Sequence, residues 1–222
     1  MANDFQLRPA LALELPGAID PVAEARIARS FDGRLAGIDE AGRGPWAGPV
    51  TVAAVILDYE NLPEGIRDSK TLNEAGRVRA FEAILETAEV AIAFASPESI
   101  DRLNIRAATL GAMTRAAKAL PRAPDACLID GRDVPPNLSF PGQPAIKGDG
   151  RLLCVAAASI VAKVTRDRLM TRMDALWPGY GFARHKGYGT AAHAAALEKL
   201  GACPLHRRSF RPIRAVLGLD PE

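Results

Sequence analysis

Residues 37–57 read Gly-Ile-Asp-Glu-Ala-Gly-Arg-Gly-Pro-Trp-Ala-Gly-Pro-Val-Thr-Val-Ala-Ala-Val-Ile-Leu. Apolar residues typical of buried strands flank a turn that is rich in glycine and proline. Because only this tight turn separates the two runs, we predict an antiparallel hairpin, with strands over Leu35–Asp39 and Pro49–Leu57. Two adjacent carboxylates, Asp39 and Glu40, stand at the end of the first strand.

Two further acids stand where a strand is expected to end in a turn. Asp130 follows the apolar run from Ala126 and precedes Gly131, and Asp149 lies between two glycines. Divalent cations such as Mg²⁺ prefer carboxylate oxygens. Two carboxylates about 4 Å apart repel each other by roughly 4 kcal/mol at an effective dielectric constant near 20, and a bound cation removes that penalty. We therefore predict a metal site from these acids; taken alone, Asp130 or Asp149 could equally be a plain turn residue.

The predicted site has one geometric condition. Neighbours on a regular strand point to opposite faces of the sheet. Asp39 and Glu40 can therefore share a site only if the strand bulges or ends between them, and the following Ala41-Gly42 makes such a break plausible.

The remaining patterns predict an α/β layer with a mixed sheet. Further strands are expected over Val90–Ala95, Ala126–Gly131 and Pro144–Lys147, the last at an edge because it contains proline. Apolar residues at helical spacing, with start and stop signals, predict four helices, over Asn73–Ala88, Asn104–Leu120, Leu152–Leu176 and Thr190–Gly201.

The chain divides into three parts by pattern. Residues 1–32 show no clear period and are interpreted as a partly mobile extension. Residues 33–176 are the expected catalytic core, and residues 177–222 the expected basic, helical, substrate-binding portion.

Composition narrows the class of protein. With 222 residues, 48% of them hydrophobic, the chain can bury one core. It has no apolar run near the roughly 20 residues of a membrane span and no secretory-signal pattern at the start. The three cysteines are far apart and odd in number, which favours reduced thiols in the cytoplasm. We expect a cytoplasmic protein without a membrane partner, and nothing in the sequence demands more than a monomer.

Charge is distributed unevenly along the chain. Residues 1–150 contain 16 Lys and Arg against 21 Asp and Glu, whereas residues 151–222 contain 12 against 5. An acidic first part followed by a basic last part fits a metal-binding pocket beside a surface for a polyanion. The alternative is an ordinary solvated helix face with surplus arginine.

Several residues outside the acidic set have features of a nucleic-acid site. The Gly42-Arg43-Gly44 turn is not a dinucleotide fingerprint, since a strand follows it, but its glycines allow close backbone approach to a sugar hydroxyl. Tyr188 lies among basic residues and could stack on a base or sugar, or could simply pack on the core. Candidate phosphate donors are Ser69 and Lys70 in one segment and Ser159, Lys163 and Arg166 on one helix face. The three histidines, His185, His193 and His206, do not have zinc-ligand spacing.

With these residues placed, the chain from Leu35 to the C-terminus resembles the bacterial ribonuclease HII family. The resemblance rests on the matching segments Gly37–Pro45, Asp68–Lys70, Leu128–Gly131, Lys147–Asp149, Ala158–Asp167 and His185–Tyr188. It implies an RNase H-like fold, with a five-stranded mixed sheet flanked by helices and a small helical C-terminal portion.

The resemblance also implies an activity. It implies a Mg²⁺- or Mn²⁺-dependent endoribonuclease that cuts RNA–DNA hybrids, and cuts 5′ of single ribonucleotides in duplex DNA to leave 3′-hydroxyl and 5′-phosphate ends. Such an enzyme begins the removal of ribonucleotides from DNA, and a contact with a sliding clamp stays open. By resemblance, the metal-binding catalytic set is Asp39, Glu40, Asp130 and Asp149. Gly42, Arg43 and Gly44 would read the ribose 2′-hydroxyl, Tyr188 would stack on the deoxyribose beyond the junction, and Ser69 and Lys70 would hold backbone.

Two departures from the family pattern and two rival functions are noted. Trp46 stands where a smaller aliphatic residue is expected, and Gly150 follows Asp149 where serine is expected. The rivals are a non-catalytic hybrid-binding module and a metal-dependent phosphotransferase on the same scaffold.

Overall fold

A computed structural model describes residues 11–66 and 72–219 of the chain. Its centre is a five-stranded mixed sheet, in the order β3-β2-β1-β4-β5. β1 pairs antiparallel with β2 and parallel with β4, β2 pairs antiparallel with β3, and β4 pairs parallel with β5. The strands are β1 Leu35–Ala41, β2 Val50–Ile56, β3 Glu89–Ala95, β4 Ala126–Asp130 and β5 Gly142–Ala145.

The sequence patterns predict most of this sheet. The antiparallel hairpin, the third strand and the strand that ends at Asp130 are confirmed. The edge strand was predicted over Pro144–Lys147 but lies at Gly142–Ala145, and the chain then enters a short 3₁₀ turn at Gly148–Gly150. The strand begins two residues earlier than predicted because its pairing with β4 starts at Gly142, which lies opposite Cys127.

Eight α-helices are found in the described parts of the chain. They are α1 Pro21–Arg29, α2 Glu74–Thr87, α3 Pro97–Leu103, α4 Ile105–Lys118, α5 Leu153–Leu176, α6 Phe182–His185, α7 Ala191–Leu200 and α8 Arg211–Val216. The four predicted helices correspond to α2, α4, α5 and α7 within one or two residues at each end. None of the described helices has the length and apolar character needed to span a membrane.

Two apolar layers hold the helices on opposite faces of the sheet. The 24-residue helix α5 packs with α1 and α2 on one face, and α3 and α4 lie on the other. The close approach of α5 to β1 depends on Gly37, because a Cβ there would lie 2.1 Å from the Cys154 carbonyl carbon. A third, smaller cluster around Phe182 and Met170 forms the core of the C-terminal part.

The segment that precedes β1 belongs to the folded body from residue 11 onward. Leu13, Ile19 and Ile27 pack against the α5 layer. The Glu24 side chain is fully buried and accepts hydrogen bonds from the Leu153 and Cys154 amides, at 2.5 and 2.8 Å, at the start of α5. The interpretation of residues 1–32 as an extension misses this because Glu24 reads as an ordinary surface charge until its distant partners are known. Residues 1–10 lie outside the described chain.

Candidate active site

Two of the predicted acids lie side by side at one edge of the sheet. Ile38 of β1 pairs with Ile129 of the parallel strand β4, so the next residues, Asp39 and Asp130, occupy adjacent strands at the same level. Asp39 is only 5% exposed, and its carboxylate accepts hydrogen bonds from the Glu40 amide, at 2.7 Å, and from the Ser159 hydroxyl of α5.

The expected break between Asp39 and Glu40 is absent. Pairing with β2 continues without a bulge, with Asp39 opposite Ala53 and Glu40 opposite Val52. Asp39 therefore faces α5, whereas Glu40 lines a small cleft of about 70 Å³ on the α4 side. Asp130 lines that cleft too and repels both of the other acids. The three carboxylates are thus near enough to repel one another, but Asp39 and Glu40 lie on opposite faces of the sheet.

The electrostatics of this acidic centre oppose full ionisation. Burial, followed by the negative charges of Glu40 and Asp130, raises the pKa of Asp39 well above its usual value. Burial also raises the pKa of Glu40, although the Arg43 guanidinium, 3.3 Å from the Glu40 carboxylate, opposes that rise. The pKa of Asp130 is raised by burial and by Asp149, against a 2.7 Å hydrogen bond from the Gly148 amide.

Asp149 lies on the 3₁₀ turn that follows β5. This turn packs closely against Asp130, as shown by the distance of 3.4 Å between an Asp130 oxygen and a Cβ built on Gly148. Asp149 is half-buried and raises the pKa of Asp130, so it stands near enough to act on the acidic centre.

The donor chemistry fits a hard divalent cation, since these are carboxylate oxygens whose mutual repulsion a cation would relieve. The side chains are not already arranged as a cage, however. In residues 11–66 and 72–219, no three Asp, Glu, His or Cys side chains are grouped so that they could hold a metal ion. The continuous strand accounts for this, because it sends Asp39 and Glu40 to opposite faces.

The Gly42-Arg43-Gly44 turn is held from inside by a buried arginine. Arg207 is fully buried and donates to the carbonyls of Gly42, Arg43 and Gly48, at 2.5, 2.8 and 3.0 Å. A peptide carbonyl and the following N–H point in opposite directions. The inward carbonyls of Gly42 and Arg43 therefore turn the amides of Arg43 and Gly44 outward, toward any ligand above the loop.

Glycine is required at Gly42 for two reasons. Its φ is +93°, which other residues rarely adopt, and a Cβ there would lie 1.9 Å from the Arg166 Nε. The loop thus rests directly on a guanidinium, and its outer surface is formed by the exposed residues Arg43 and Gly44.

Tyr188 stands next to this loop. Its side chain is 45% exposed, and its ring carbon Cε1 would be 3.9 Å from a Cβ on Gly44. The backbone beneath it is fixed by histidines, since His193 Nδ1 lies 3.0 Å from the Tyr188 carbonyl and the Gly187 amide donates to His185 Nδ1 at 3.1 Å. The backbone of Tyr188 is therefore held in place beside the turn, and its ring is exposed to solvent. The alternative, in which Tyr188 packs on the core, does not hold.

Arg166 does not have the predicted role of a phosphate donor. It is 1% exposed, and its guanidinium donates to the carbonyls of Pro49, Lys186 and Ala47 at 2.9–3.1 Å. Arg166 joins the hairpin turn to the Tyr188 loop from below. Lys163, its neighbour on the helix face, is partly exposed and pairs with Asp167 at 2.9 Å, and Ser69 and Lys70 lie outside the described residues.

Arg207 and Ser159 are the site residues whose roles the sequence did not reveal. Arg207 lies in the run Leu-His-Arg-Arg-Ser, which looks like a surface charge cluster, and no local signal shows that one arginine is buried. Ser159 was expected to bind phosphate, but its hydroxyl is engaged by Asp39.

The departure at Trp46 has a structural counterpart. The centroid of its ring lies 5.4 Å from the centroid of the His193 ring. A Cβ built on Gly189 would come 2.2 Å from the nearest carbon of the Trp46 ring. The glycine after Tyr188 thus leaves room for the larger residue. For Gly150, the 3₁₀ turn that it ends gives no reason for glycine over serine.

The chain is similar in sequence and in structure to known proteins of one family. A sequence model of the ribonuclease HII family matches residues 36–213. The ribonuclease HII of Rhizobium leguminosarum bv. trifolii (strain WSM2304) is 53% identical over 208 residues, which cover 94% of this chain and 91% of that protein. The ribonuclease HII of Jannaschia sp. (strain CCS1) is 53% identical over 191 residues, covering 86% and 96%. The crystal structure of ribonuclease H2 from Pyrococcus horikoshii OT3 superposes with a TM-score of 0.70 at 26% identity, covering 82% of this chain and 96% of that one.

Proposed function

The chain belongs to the ribonuclease HII family and is a ribonuclease H hydrolase, and from that premise we propose that it cuts duplex DNA 5′ of a single embedded ribonucleotide. The observation that carries the proposal is the pairing of an acidic centre with an adjacent loop whose amides point outward. The first suits chemistry at a phosphodiester, and the second suits recognition of a 2′-hydroxyl, the group that distinguishes RNA from DNA.

Metal binding is assigned to the acidic centre. Asp39 and Asp130 would hold the divalent cation, Mg²⁺ or Mn²⁺, with Glu40 and Asp149 contributing from the two sides. Two bound cations would stabilise the entering and leaving oxygens of an in-line displacement at phosphorus. The raised pKa values of Asp39, Glu40 and Asp130 support this assignment, because burial and then mutual repulsion disfavour their negative charge, and a bound cation offsets both.

Recognition of the ribose is assigned to the loop and the tyrosine. The amides of Arg43 and Gly44, turned outward by Arg207, would meet the 2′-hydroxyl. Tyr188 would stack on the next sugar, where a deoxyribose offers an apolar face and no hydroxyl. Products would carry a 3′-hydroxyl and a 5′-phosphate, and the reaction would open the way to removal of the ribonucleotide.

The test is a cutting assay on a duplex with one central ribonucleotide, with matched all-DNA duplex as control. We expect cutting 5′ of the ribonucleotide with Mg²⁺ or Mn²⁺ and none with EDTA. A DNA polymerase should extend the new end directly if it is a 3′-hydroxyl. Binding without cutting would favour the hybrid-binding module. Phosphate transfer to an alcohol acceptor in place of water would favour the phosphotransferase.

A further inference from the structure

A basic groove lies between α2 and the second half of α5, away from the acidic centre. Its volume is about 250 Å³. One wall carries Arg77 and Val78, the other carries Val164, Arg168 and Arg172, and Lys186 closes one end. At the base of these walls, the half-buried Val78 and the buried Val164 form an apolar floor, and the positively charged side chains form the rim.

The acids that line the groove do not neutralise it. Glu74 and Asp167 are the two acidic lining residues, and Asp167 is already paired with Lys163 at 2.9 Å. On the basic side, Arg168 pairs with the exposed Glu82 and lies over the Phe81 ring. Excess positive charge stays on the rim.

Three cations of the rim lack a carboxylate partner among the described residues: Arg77, Arg172 and Lys186. Arg77 donates one N–H to the Leu72 carbonyl at 2.6 Å, and Lys186 donates to Thr171 and to the Ala183 carbonyl. Each retains further N–H donors, and Arg172 is exposed and has no hydrogen-bond acceptor for its guanidinium within residues 11–66 and 72–219.

The groove is connected to the acidic centre along α5. Ser159, which donates to Asp39, starts an i, i+4 row that continues through Lys163 and Asp167 to the groove. At 1.5 Å per residue, the eight residues from Ser159 to Asp167 span about 12 Å and the thirteen to Arg172 about 20 Å. Those lengths equal about four to six base pairs of duplex axis at 3.4 Å each.

We propose that this groove holds the sugar-phosphate backbone of the substrate duplex about four to six base pairs from the cut. The apolar floor formed by Val78 and Val164 suits deoxyribose, and the guanidinium and ammonium groups above it suit the flanking phosphates. The contact reads no base, so it sets affinity and register and leaves sequence choice open. The proposal rests on the proposed function, because it takes ribonucleotide-containing duplex as the ligand.

The experiment measures binding of a duplex with one central ribonucleotide and 15 base pairs on each side. The protein carries Asp130→Asn to prevent cutting, and Mg²⁺ is present. Adding Arg172→Gln should weaken binding about threefold to tenfold and reduce the slope of log K against log salt by about 0.9, the value for one phosphate contact. Arg172→Lys should retain most of the affinity. The matched control is Arg79→Gln, an exposed arginine on another face of α2, which should leave affinity and slope unchanged.

A length series then locates the contact. Two further duplexes are shortened to three base pairs on one side or the other of the ribonucleotide. On one of them, the Arg172→Gln deficit should vanish, because the phosphates that reach the groove have been removed. An Arg172→Gln protein that matches the Arg79→Gln control on the full duplex would overturn the proposal, and so would a deficit that persists on both shortened duplexes. An acidic protein partner would be the better occupant in the first case. Wild-type protein is assayed for cutting in parallel, so that loss of the proposed function is recognised separately.

Discussion

Asp130 is assigned a role in the proposed cation site, and burial of its charge is unfavourable to the folded state. Replacing it with asparagine removes a charge that burial and Asp149 disfavour. We expect Asp130→Asn to lower the cutting rate at least about 100-fold. In EDTA at pH 8 the variant should gain on the order of 1 kcal/mol of stability, about 2–4 °C in Tm for a chain of this size.

The sign of the Asp130 prediction depends on pH. A carboxyl with a raised pKa binds more protons in the folded state, so its penalty is absent at low pH and grows as pH rises toward the folded pKa. The gain from Asp130→Asn should therefore be larger at pH 8 than at pH 4.5 in thermal melts with EDTA. Full cutting activity in the variant would remove Asp130 from the mechanism.

Substitution of Arg207 tests whether this buried guanidinium holds the Gly42-Arg43-Gly44 loop, which is proposed to contact the ribose, in its orientation. The pKa of its guanidinium is lowered to about 9, mainly by burial and also by Arg166, and its partners are carbonyls. Lysine keeps the charge but cannot reach three carbonyls at once. We expect Arg207→Lys to destabilise the protein by about 2 kcal/mol in urea unfolding and to lower kcat/KM on a single ribonucleotide about tenfold.

The matched control for Arg207 is its exposed neighbour Arg208. Arg208→Lys should change neither stability nor kcat/KM. Equal behaviour of the two variants would mean that the orientation of the loop does not depend on the buried guanidinium.

Glu24 of α1 caps the start of α5 by accepting hydrogen bonds from its first amides. α5 begins at Leu153 without a capping side chain of its own, and Glu24 of α1 accepts from its first two amides and from the Tyr59 hydroxyl at 2.7 Å. We expect Glu24→Ala to cost about 2–4 kcal/mol in urea unfolding, because two buried amides and the Tyr59 hydroxyl lose their acceptor.

An exposed carboxylate in the same segment provides the comparison for Glu24. Glu14→Ala should stay within about 0.5 kcal/mol of wild type. If both alanine variants unfold at the same urea concentration, α1 does not hold the start of α5 and its contact with the core is incidental.

The elements differ in how far local sequence predicts them. β1, β2 and β4 are apolar runs that end at turn signals, and α5 has buried residues from Leu153 to Met170, so periodicity finds them. The roles of α1, Arg166 and Arg207 depend on partners more than 100 residues away. A buried charge bonded to distant backbone has no local signature, and for this reason those residues read as surface.

The site was predictable in its composition more than in its geometry. Turn signals after apolar runs mark Asp39 and Asp130, and the parallel pairing of β1 with β4 brings them together. The faces were not predictable, because the continuous register of β1 past Glu40 depends on its pairing with β2. A bulge would have left the same sequence pattern.

The whole molecule combines two groups of buried ionisable residues with opposite responses to pH. In the C-terminal part, burial lowers the pKa of His206 to about 4, helped by the nearby His193. The folded state then binds fewer protons than the unfolded state, so stability is complete above about pH 6.5 and falls as the pH drops toward 4. From a pKa of about 4 for His206, we expect a loss of about 2 kcal/mol at pH 5. The acidic centre acts in the other direction, since its raised carboxyl pKa values make the metal-free protein less stable as the pH rises.

A bound cation should change only the second of these responses. We expect Mg²⁺ to raise Tm more at pH 8 than at pH 5, because protons compete more strongly for carboxylates with raised pKa values at the lower pH. Thermal melts from pH 4.5 to 8.5, with EDTA or with Mg²⁺, measure both limbs of the curve. His206→Gln should flatten the acid limb and keep the Mg²⁺ increment, whereas Asp130→Asn should reduce the increment and keep the acid limb. A Mg²⁺ effect of equal size at pH 5 and pH 8 would argue against cation binding by ionised carboxylates in the acidic centre.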